Sequence, residues 1–441
     1  MAKDNNNKQE NDLMEKIVSL CKRRGFIFQG SEIYGGLAGT FDFGHYGVAL
    51  KNNIKNSWWK KFVDSRRDMY GMDAAILMRQ EVWQATGYAE HFADPMVECE
   101  KCHSKFRADQ IEDKEKCGSC GGKLSEARQF NMMFQTKVGA SEDSSATSYL
   151  RPETAQGIFV NFKNTVDAFH PKLPFGIAQI GKAFRNEITP RDFIFRQREF
   201  EQMEIEYFVR SEDWEKHFEY LKDEMLEWMD SVGIDMNKVH ELEVADDDRA
   251  HYSKRTVDFE FDYPFGRKEL FGLAYRTDFD LGVHKLEYID EENATKMVPH
   301  VIEPSFGVDR AFLALLVSAY NEQDPERPFL KFKPSIAPVI CAVSPLLKNK
   351  PELVEYANTK VFAPLKAEFG RVVWDDNGNI GKRYRRQDEI GTPFCVVVDF
   401  ETLGEENADL KDTITIRDRD TGEQERVKVS ELISYIKDKL N

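Results

Sequence analysis

A single charged segment, residues 184–208, constrains the fold of this chain more than any other feature. Its sequence, FRNEITPRDFIFRQREFEQMEIEYF, has two strand-like runs around a polar turn, with arginines and glutamates where a structural hairpin carries β-branched and aromatic residues. Because side chains alternate along a strand, a strand that starts at Phe195 would place on one face Arg196, Arg198, Phe200, Gln202 and Glu204. That face offers cations for phosphate, an aromatic ring for a flat base and a carboxylate for an amine. The alternative is a charged outer strand of an antiparallel sheet, which seldom collects such specific groups on one face.

A second segment, residues 299–320, has the sequence PHVIEPSFGVDRAFLALLVSAY. It predicts a strand that ends at Glu303 and Pro304, a turn that reaches Gly307, and a helix with Arg310 in its first turn. A helix N-terminus favours an anionic ligand, and an arginine there can lie over a purine and contact phosphate with its planar fork. Taken alone, the segment could equally be a buried strand followed by a core helix.

Together the two segments resemble motifs 2 and 3 of the class II aminoacyl-tRNA synthetases. Residues 149–164 (YLRPETAQGIFVNFKN) and 269–281 (ELFGLAYRTDFDL) are strongly similar to the glycyl-tRNA synthetases of the dimeric, single-chain type. The resemblance runs from about Ile17 to the C-terminus, with the motifs in the family's order. It implies an α+β fold, with an antiparallel-sheet catalytic domain of the class II kind.

The resemblance implies ATP-dependent attachment of glycine to tRNA(Gly) through a glycyl-adenylate. Carried over motif by motif, it assigns to glycine binding Arg107, Glu153, Phe200, Glu201, Gln202, Met203, Glu204, Glu303, Ser305 and Gly307. It assigns to ATP binding Arg185, Asn186, Glu187, Phe195, Arg196, Phe200, Glu269, Leu270, Gly307 and Arg310. Glu269 is also the expected Mg²⁺ ligand, because magnesium prefers a few carboxylates together with substrate phosphates.

The chemistry of these residue types fits that assignment. Arg185 can bridge the amino-acid carboxylate and the α-phosphate, and Glu187 can accept from the adenine amino group. A cluster of glutamates around the amine would have raised pKa values unless a cation lies among them. A rigid polar wall beyond Cα would exclude the methyl group of alanine sterically. The alternatives are another class II specificity, such as threonyl or prolyl, or a non-catalytic synthetase-like protein that binds nucleic acid.

Four of the seven cysteines form two C-x-x-C pairs, Cys99 with Cys102 and Cys117 with Cys120, and fourteen residues separate the pairs. Four thiolates match tetrahedral zinc and leave no coordination position open, so we expect a structural zinc site. Disulfide pairing is the alternative, and a cytosolic setting disfavours it. We expect a small zinc ribbon over residues 94–128, inserted in the catalytic domain, and the resemblance implies that it lies near the acceptor stem of the tRNA.

Charge composition limits how the chain can contact RNA. Lys and Arg number 61 against 77 acidic residues, and this net charge of −16 argues against bulk attraction to nucleic acid. Positive charge must therefore be concentrated locally, as in GKRYRRQ at residues 381–387, where a tyrosine lies among the cations. The tRNA candidates there are Lys382, Arg383, Arg385 and Arg386. The alternative is that these cations pair with Asp388 and Glu389.

The expected domains are a disordered polar tail (1–11), the catalytic domain (12–333) and a C-terminal domain (334–441). Apolar strands alternate with helices after residue 333, which indicates an α/β domain with a mixed sheet. It resembles the anticodon-binding domain shared by the glycyl, histidyl, prolyl and threonyl enzymes.

Residues 34–63 resemble motif 1, which in the family forms much of the dimer interface, so a homodimer is expected. The match is weaker at His45, where the family pattern usually has proline. Trp58 and Trp59 could serve either the core or the interface. The N-terminus is polar and no apolar run is long enough to span a bilayer, so we expect no membrane association and a cytoplasmic location.

Overall fold

The fold is seen in a computed structural model that describes residues 2–111, 113–140, 147–290, 295–405 and 407–440, with side chains from Asp12 onward. The helices before residue 330 are α1 (Ala2–Arg24), α2 (His45–Trp59), α3 (Gln80–Ala85), α4 (Tyr88–His91), α5 (Ala155–Phe159), α6 (Phe162–Phe169), α7 (Trp214–Val232), α8 (Phe279–Val283) and α9 (Val308–Ala319). The strands there are β1 (Ile27–Gln29), β2 (Phe41–Phe43), β3 (Met69–Met72), β4 (Leu77–Met78), β5 (Ala93–Glu98), β6 (Lys105–Arg107), β7 (Arg128–Asn131), β8 (Gln135–Lys137), β9 (Thr147–Leu150), β10 (Phe175–Phe184), β11 (Glu199–Val209), β12 (Val239–Glu243), β13 (Arg255–Tyr263), β14 (Gly266–Thr277), β15 (Tyr288–Asp290), β16 (Thr295–Met297), β17 (His300–Gly307), β18 (Tyr320–Asn321) and β19 (Phe329–Leu330).

One seven-stranded sheet, in the order β12-β13-β14-β17-β11-β10-β3, organises the catalytic part. Every pair in it is antiparallel except β3 with β10. Alternate side chains of β11 and β17, such as Met203 and Phe306, enter the core, where Phe306 packs against Trp58 and Trp228 at ring-centroid distances of 5.8 and 5.4 Å. The other set, which includes Glu204 and Ser305, therefore faces the opposite side of the sheet.

The strand predicted from Phe195 begins later than the sequence suggested, at Glu199. Residues Phe193–Phe195 form a 3₁₀ turn instead, because Asp192 and Phe193 adopt left-handed backbone conformations with φ of 61° and 57°. Arg198 consequently turns away from the predicted face, and its guanidinium donates to the backbone carbonyls of Glu187 and Ala38. The predicted alternation holds from Phe200 onward.

The strand predicted to end at Pro304 continues to Gly307, and α9 begins at Val308. Proline removes only one backbone donor, and the neighbouring residues keep the ladder on both sides. Ser305 pairs with Glu204 of β11 and with Gly272 of β14. The substrate-side groups of β17 are therefore held in a central strand.

The C-terminal part is an α/β domain with its own core. Its helices are α10 (Pro351–Tyr356), α11 (Ala363–Phe369), α12 (Ile380–Ile390), α13 (Phe400–Leu403) and α14 (Leu432–Leu440). Its strands are β20 (Cys341–Pro345), β21 (Val372–Trp374), β22 (Phe394–Val398), β23 (Thr413–Asp418) and β24 (Gln424–Lys428). The sheet order is β21-β20-β22-β23-β24, with parallel pairs around β20 and antiparallel pairs beyond β22, which confirms the predicted mixed sheet.

The two cores adjoin one another near the predicted boundary at residue 333. The catalytic core extends to Ala337, and the C-terminal core begins at Ile340. The buried Glu389 of α12 forms ion pairs with Arg23 and Arg24 of α1, which joins the two parts. In the tail predicted to be disordered, residues 1–11, the backbone of residues 2–11 belongs to α1, and the side chains there lie outside the described part of the chain.

The segment that resembles motif 1 forms the helix α2. Trp58 is fully buried and therefore belongs to the core rather than to an interface, whereas Trp59 is half-buried. The helix α2 begins directly at His45, after Gly44 as its cap. In the parts of the chain that the structure describes, no helix has the length and apolar character needed to cross a bilayer.

Candidate active site

A cavity of about 290 Å³ opens on the sheet face that carries Gln202 and Ser305. The predicted residues that line it are Arg107, Arg185, Glu187, Phe195, Arg196, Phe200, Glu201, Gln202, Glu269, Leu270, Ser305, Gly307 and Arg310. The predicted residues outside this lining are Glu153, Asn186, Met203, Glu204 and Glu303. The lining residues that the sequence analysis missed are Met132, Ile194, Gln197, Phe271 and Asp309.

Two of the four arginines that line the cavity, Arg185 and Arg310, are anchored beside aromatic rings. Arg185 follows the end of β10, where its Nε donates to the carbonyl of Pro152 at 3.0 Å and its guanidinium lies 5.4 Å from the Phe200 ring centroid. Arg310, in the first turn of α9, lies 4.5 Å from the Phe195 ring centroid and donates to a backbone carbonyl of β14 at 3.1 Å. A guanidinium has five N–H donors, so each arginine is anchored and keeps donors for phosphate oxygens.

Glu187 and Arg196 form a polar edge of the same cavity. Glu187 is buried, and Arg196 Nη1 lies 3.4 Å from its carboxylate. Arg198 braces the same residue from behind by donating to its backbone carbonyl at 3.0 Å. A carboxylate held in this way can accept from an exocyclic amino group such as that of adenine.

Glu204 lies in the floor below the cavity, and four hydrogen bonds fix its carboxylate. The Thr154 amide donates to it at 3.0 Å, and the Thr154 hydroxyl donates to the same oxygen. Gln202 Nε2 and Ser305 Oγ donate to the other oxygen at 2.8 and 2.9 Å. Two donors of Thr154, which caps α5, one of β11 and one of β17 therefore set the position of one acceptor.

Glu303 completes the floor from β17, together with an arginine that the sequence analysis missed. Arg276 is 1% exposed; its Nη1 donates to Glu303 at 2.9 Å, and its Nε and Nη2 donate to Asp280 at 2.8 and 2.9 Å. Burial raises the pKa of Glu303 to about 8, and Arg276 opposes that rise. The expected cation among the glutamates is this arginine, which its position within ELFGLAYRTDFDL could have suggested.

Glu153 reaches the floor from the loop before α5. Tyr88 Oη donates to its carboxylate at 2.5 Å, and burial raises the pKa of Glu153. The floor thus has carboxyl groups from three separate elements, and Tyr88 is a second partner that the sequence analysis missed. Buried carboxyl groups in this number suit a cationic ligand such as an ammonium group.

Three other predicted residues make different contacts. The Glu201 carboxylate forms ion pairs with Lys51 at 2.7 Å and Lys55 at 3.1 Å, because its place on β11 directs it towards α2. Met203 is fully buried in the core for the same reason of alternation. The backbone N–H of Asn186 donates to the carbonyl of Met132 at 2.7 Å, and Asn186 lies outside the cavity lining. These contacts hold the three residues in place around the site, where Glu201 also lines the cavity, and their predicted contact with a ligand stays untested.

Lys51 is a buried cation behind the cavity; it lies within residues 34–63, but the sequence analysis predicted no role for it. Its Nζ forms a second ion pair at 2.7 Å with Asp309, whose other oxygen accepts from the Glu201 amide at 2.9 Å. Lys51 is 7% exposed, so these pairs tie α2, β11 and α9 together below the cavity. Only the tertiary contacts of this lysine distinguish it from other lysines of a helix face.

Glu269 lies at the half-exposed edge of the cavity, 3.2 Å from Arg310 Nη1, which lowers the pKa of its carboxyl. Glu260 is its direct cross-strand partner, so two like charges face one another there. Burial and Glu269 together raise the pKa of nearby Asp258 to about 7. A cation held mainly by substrate phosphates fits this carboxylate-rich edge, in agreement with the expected Mg²⁺ ligand.

The four cysteines of the insertion converge on one point. Their sulfur atoms all lie within 4.8 Å of one another, with Cys99 and Cys120 at 3.5 Å and Cys102 and Cys117 at 3.7 Å. A Cβ added to Gly122 would lie 3.0 Å from the Cys99 sulfur and 3.3 Å from that of Cys120, so this position is shaped around the thiols. The donor set and the glycine cradle fit tetrahedral zinc.

The insertion also contributes to the cavity. Its strands β5, β6 and β7 form a small sheet, and β6 carries Arg107, whose Nη1 lies 2.6 Å from Asp94. Asp109 binds the same guanidinium at 2.8 Å. The metal-holding end and the cavity-lining end of the insertion are therefore parts of one small unit.

The cations of α12 separate into two kinds. Arg383 is 3% exposed and donates to the backbone carbonyls of Pro345, Gly378 and Asp376. Arg386 is bound by the carboxylate of Asp375. Lys382 and Arg385 are exposed. Glu389 pairs with Arg385 at 4.0 Å, as the local alternative predicted, and also with Arg24 of α1. Asp388 pairs instead with Arg327 and Arg417.

Comparison with known proteins adds to this geometry. Residues 134–320 match the family described as the tRNA synthetase class II core domain (G, H, P, S and T), and residues 340–439 match the anticodon binding domain. The chain is 46% identical to the glycine–tRNA ligase of Thermus thermophilus, over 97% of this chain and 99% of that protein. It is 47% identical to the glycine–tRNA ligase of Treponema denticola, over 96% of each chain. A similar match, 46% identical, is the glycine–tRNA ligase of Deinococcus radiodurans, over 97% of this chain and 99% of that protein.

Proposed function

The chain belongs to the glycine–tRNA ligases, a family of class II aminoacyl-tRNA synthetases, and from that membership we propose how its cavity attaches glycine to tRNA. One observation carries the proposal. Arginines suited to phosphate, such as Arg185, line the cavity, and a floor of glutamates suited to an ammonium group lies below it. Glycine bound by its ammonium group at the glutamates and ATP bound by its phosphates at the arginines would bring the glycine carboxylate next to the α-phosphate.

The first step joins glycine to ATP. A glycine carboxylate oxygen attacks the α-phosphorus, the bond from that phosphorus to the bridging oxygen breaks, and pyrophosphate leaves. Arg185 neutralises charge that builds on the α-phosphate, while Arg310 and Arg196 bind the outer phosphates and Glu187 accepts from adenine. In the second step a hydroxyl of the terminal ribose of tRNA(Gly) attacks the glycyl carbonyl carbon, and AMP leaves. We assign no protein side chain as a general base, and positioning and electrostatics supply the rate.

Selectivity for glycine comes from the rigid floor. Glu204 and Glu303 bind the substrate ammonium, and Ser305 keeps Glu204 in place. Glu153, in the loop before α5, forms the adjacent wall of the site. Because each of these carboxyl groups is held by hydrogen bonds, the space beyond Cα cannot widen at low cost to admit a methyl group. Arg107 from the insertion contributes a further contact with substrate.

Two metals complete the proposal. Glu269 would hold Mg²⁺ together with the ATP phosphates, and the metal would supply charge neutralisation for the leaving pyrophosphate. Cys99, Cys102, Cys117 and Cys120 would hold zinc, which stabilises the insertion that carries Arg107. Neither function requires a metal-bound nucleophile.

Two macromolecular partners follow. The C-terminal domain is proposed to bind the anticodon of tRNA(Gly), with Lys382 and Arg385 as the accessible cations. A second copy of the chain is proposed to cover the loop between β1 and β2, where Ile33 and Tyr34 are 88% and 87% exposed. Exposed large apolar side chains of this kind favour an interface between proteins.

Pyrophosphate exchange tests the function directly. Wild-type protein is incubated with ATP, Mg²⁺ and labelled pyrophosphate, and glycine, alanine, serine, threonine and proline are added separately. Exchange that depends on glycine alone is expected. Exchange with threonine or proline would identify another class II specificity, and exchange with none would favour a non-catalytic nucleic-acid-binding protein.

A further inference from the structure

Glu206 is a fourth glutamate of the floor region, and neither sequence motifs nor the proposed chemistry gave it a role. It lies on β11 two residues after Glu204, so both side chains point to the same face. Glu206 is fully buried, and within the described residues neither of its carboxyl oxygens has a hydrogen-bond partner. A buried carboxyl group without partners is costly if it is ionised.

Strand register places Glu206 opposite Glu303. In the antiparallel pair of β11 and β17, Glu204 faces Ser305 and Tyr207 faces Ile302. Counting along both strands between these two pairs brings Glu206 directly across from Glu303. Cβ atoms of directly opposite residues lie roughly 4.5–5.5 Å apart, and two like charges in this arrangement repel one another.

The hydrogen-bond donors near the floor decide which carboxyl group keeps a proton. Glu204 accepts four hydrogen bonds, and Asp280 accepts three. Glu303 accepts one from Arg276 Nη1 at 2.9 Å. Glu206 accepts none from the described residues. The donors are therefore directed at the other carboxyl groups, and Glu206, which receives none, is the group that keeps a proton when Glu303 is ionised.

We infer that Glu206 is a neutral carboxylic acid. Its hydroxyl donates to Glu303 when the ammonium group of glycine binds and favours the ionised form of Glu303. The inference rests on the proposed binding of glycine at Glu303. A Cβ separation of roughly 4.5–5.5 Å is short enough for the extended side chain of Glu206 to reach Glu303 by rotation about its own bonds. Glu206 is thus a positioning residue, which holds Glu303 in place for the amine and does not itself contact glycine.

The charges around Glu206 agree with this role. The groups that face it are Glu204 on its own strand, Glu303 from β17, Arg276 from β14 and Asp280 from α8. Burial raises the pKa of Glu206 well above its ordinary range, Glu303 raises it further, and Arg276 opposes the rise. A neutral Glu206 also removes one negative charge from a region that already holds several carboxylates.

Two variants at this position separate a neutral donor from a carboxylate. Glu206→Gln keeps a neutral group with N–H donors, whereas Glu206→Leu keeps similar bulk without a donor. We expect the glutamine variant to retain a KM for glycine within about threefold of wild type, and the leucine variant to raise it about tenfold or more. The KM for ATP should be unchanged in both. Thermal unfolding of each variant verifies that it is folded.

Equal loss of glycine use in both variants would show that an ionised Glu206 binds the amine, and would overturn the inference. Wild-type kinetics in both variants would show that Glu206 merely fills space, and would also overturn it. Infrared difference spectroscopy in heavy water provides a second readout that needs no leucine variant. A protonated-carboxyl band that shifts when glycine is added to wild type and is missing from Glu206→Gln is expected, and its absence from wild type would contradict the inference.

Failure of the proposed function can be distinguished from failure of this inference. If the chain does not use glycine, wild-type protein shows no glycine-dependent pyrophosphate exchange. If only the role of Glu206 is wrong, wild-type exchange is intact and the two variants fail to differ as described.

Discussion

Ser305 donates its hydroxyl to the Glu204 carboxylate at 2.9 Å, across the two central strands of the catalytic sheet. The two residues are also direct partners in the strand register. This one contact joins the charged hairpin around residue 200 to the segment around residue 305, which are far apart in sequence. The position of the amine-binding floor therefore depends on the pairing of β11 with β17.

Removing the charge of the floor should weaken glycine use selectively. Glu204→Gln and Glu303→Gln are each expected to raise the KM for glycine by about tenfold to a hundredfold, because hydrogen bonds to charged groups contribute about 1.5–3 kcal/mol. ATP affinity, measured by equilibrium binding, should stay near the wild-type value. A large loss of ATP affinity with unchanged glycine use would refute the assignment of these residues.

Glycine binding should release a proton from Glu303. Its carboxyl pKa of about 8 is raised by burial, so below that pH the group is largely protonated and must ionise to receive an ammonium. Apparent glycine affinity is therefore expected to increase as pH rises from 6 towards 8, by at most about tenfold per pH unit, and then to level off. Calorimetry in buffers of different ionisation enthalpy measures the released proton. The same pH dependence in Glu303→Gln would assign it to another group.

Loss of the cysteine cluster should affect glycine through Arg107. Cys117→Ser is expected to release roughly one zinc per chain, disorder the insertion and raise the KM for glycine, while the main sheet stays folded. Metal analysis, thermal unfolding and exchange kinetics measure the three effects. His103→Asn is the matched control, because His103 lies in the same insertion, is largely exposed and has the left-handed backbone that asparagine tolerates. If metal analysis finds no zinc in wild-type protein purified under reducing conditions, the prediction is contradicted.

The two kinds of α12 cation should respond differently to substitution. Replacing Lys382 and Arg385 with alanine is expected to weaken tRNA binding and to reduce the magnitude of its log–log salt slope by about 1.4, since about 0.7 is expected for each contact to a single strand. Arg383→Ala should instead destabilise the C-terminal domain, because it leaves three backbone carbonyls without their donor. An unchanged salt slope in the folded double variant would argue that these cations do not contact tRNA.

The exposed loop between β1 and β2 should control self-association. Wild-type protein is expected to have the mass of two chains by light scattering, and Ile33→Glu with Tyr34→Glu should shift it towards one chain. The apolar residue Leu242, which is 45% exposed on the edge strand β12, provides a control variant, Leu242→Glu. A wild-type monomer, or a dimer unaffected by the loop variant, would exclude this interface.

Local patterns in the sequence determined several parts of the protein. Alternation along a strand correctly placed Phe200, Gln202 and Glu204 on one face, since side-chain direction depends only on neighbouring backbone. The spacing of the cysteines predicted their convergence because each pair spans one tight turn. Strand–helix alternation after residue 333 likewise predicted the mixed C-terminal sheet.

Tertiary structure decided the parts that depend on distant partners. Sequence placed Arg198 with the ligand-facing groups and Arg383 on an RNA-facing surface, yet both bind backbone carbonyls that come from other turns of the chain. The place of Arg276 within residues 269–281 was a signal for the arginine beneath Glu303, but neither its contact with Glu303 nor the alignment of Glu206 with Glu303 could be recognised from spacing. The first depends on the register between β14 and β17 and the second on the register between β11 and β17. Each register is set by packing and burial across the whole sheet rather than by any local pattern.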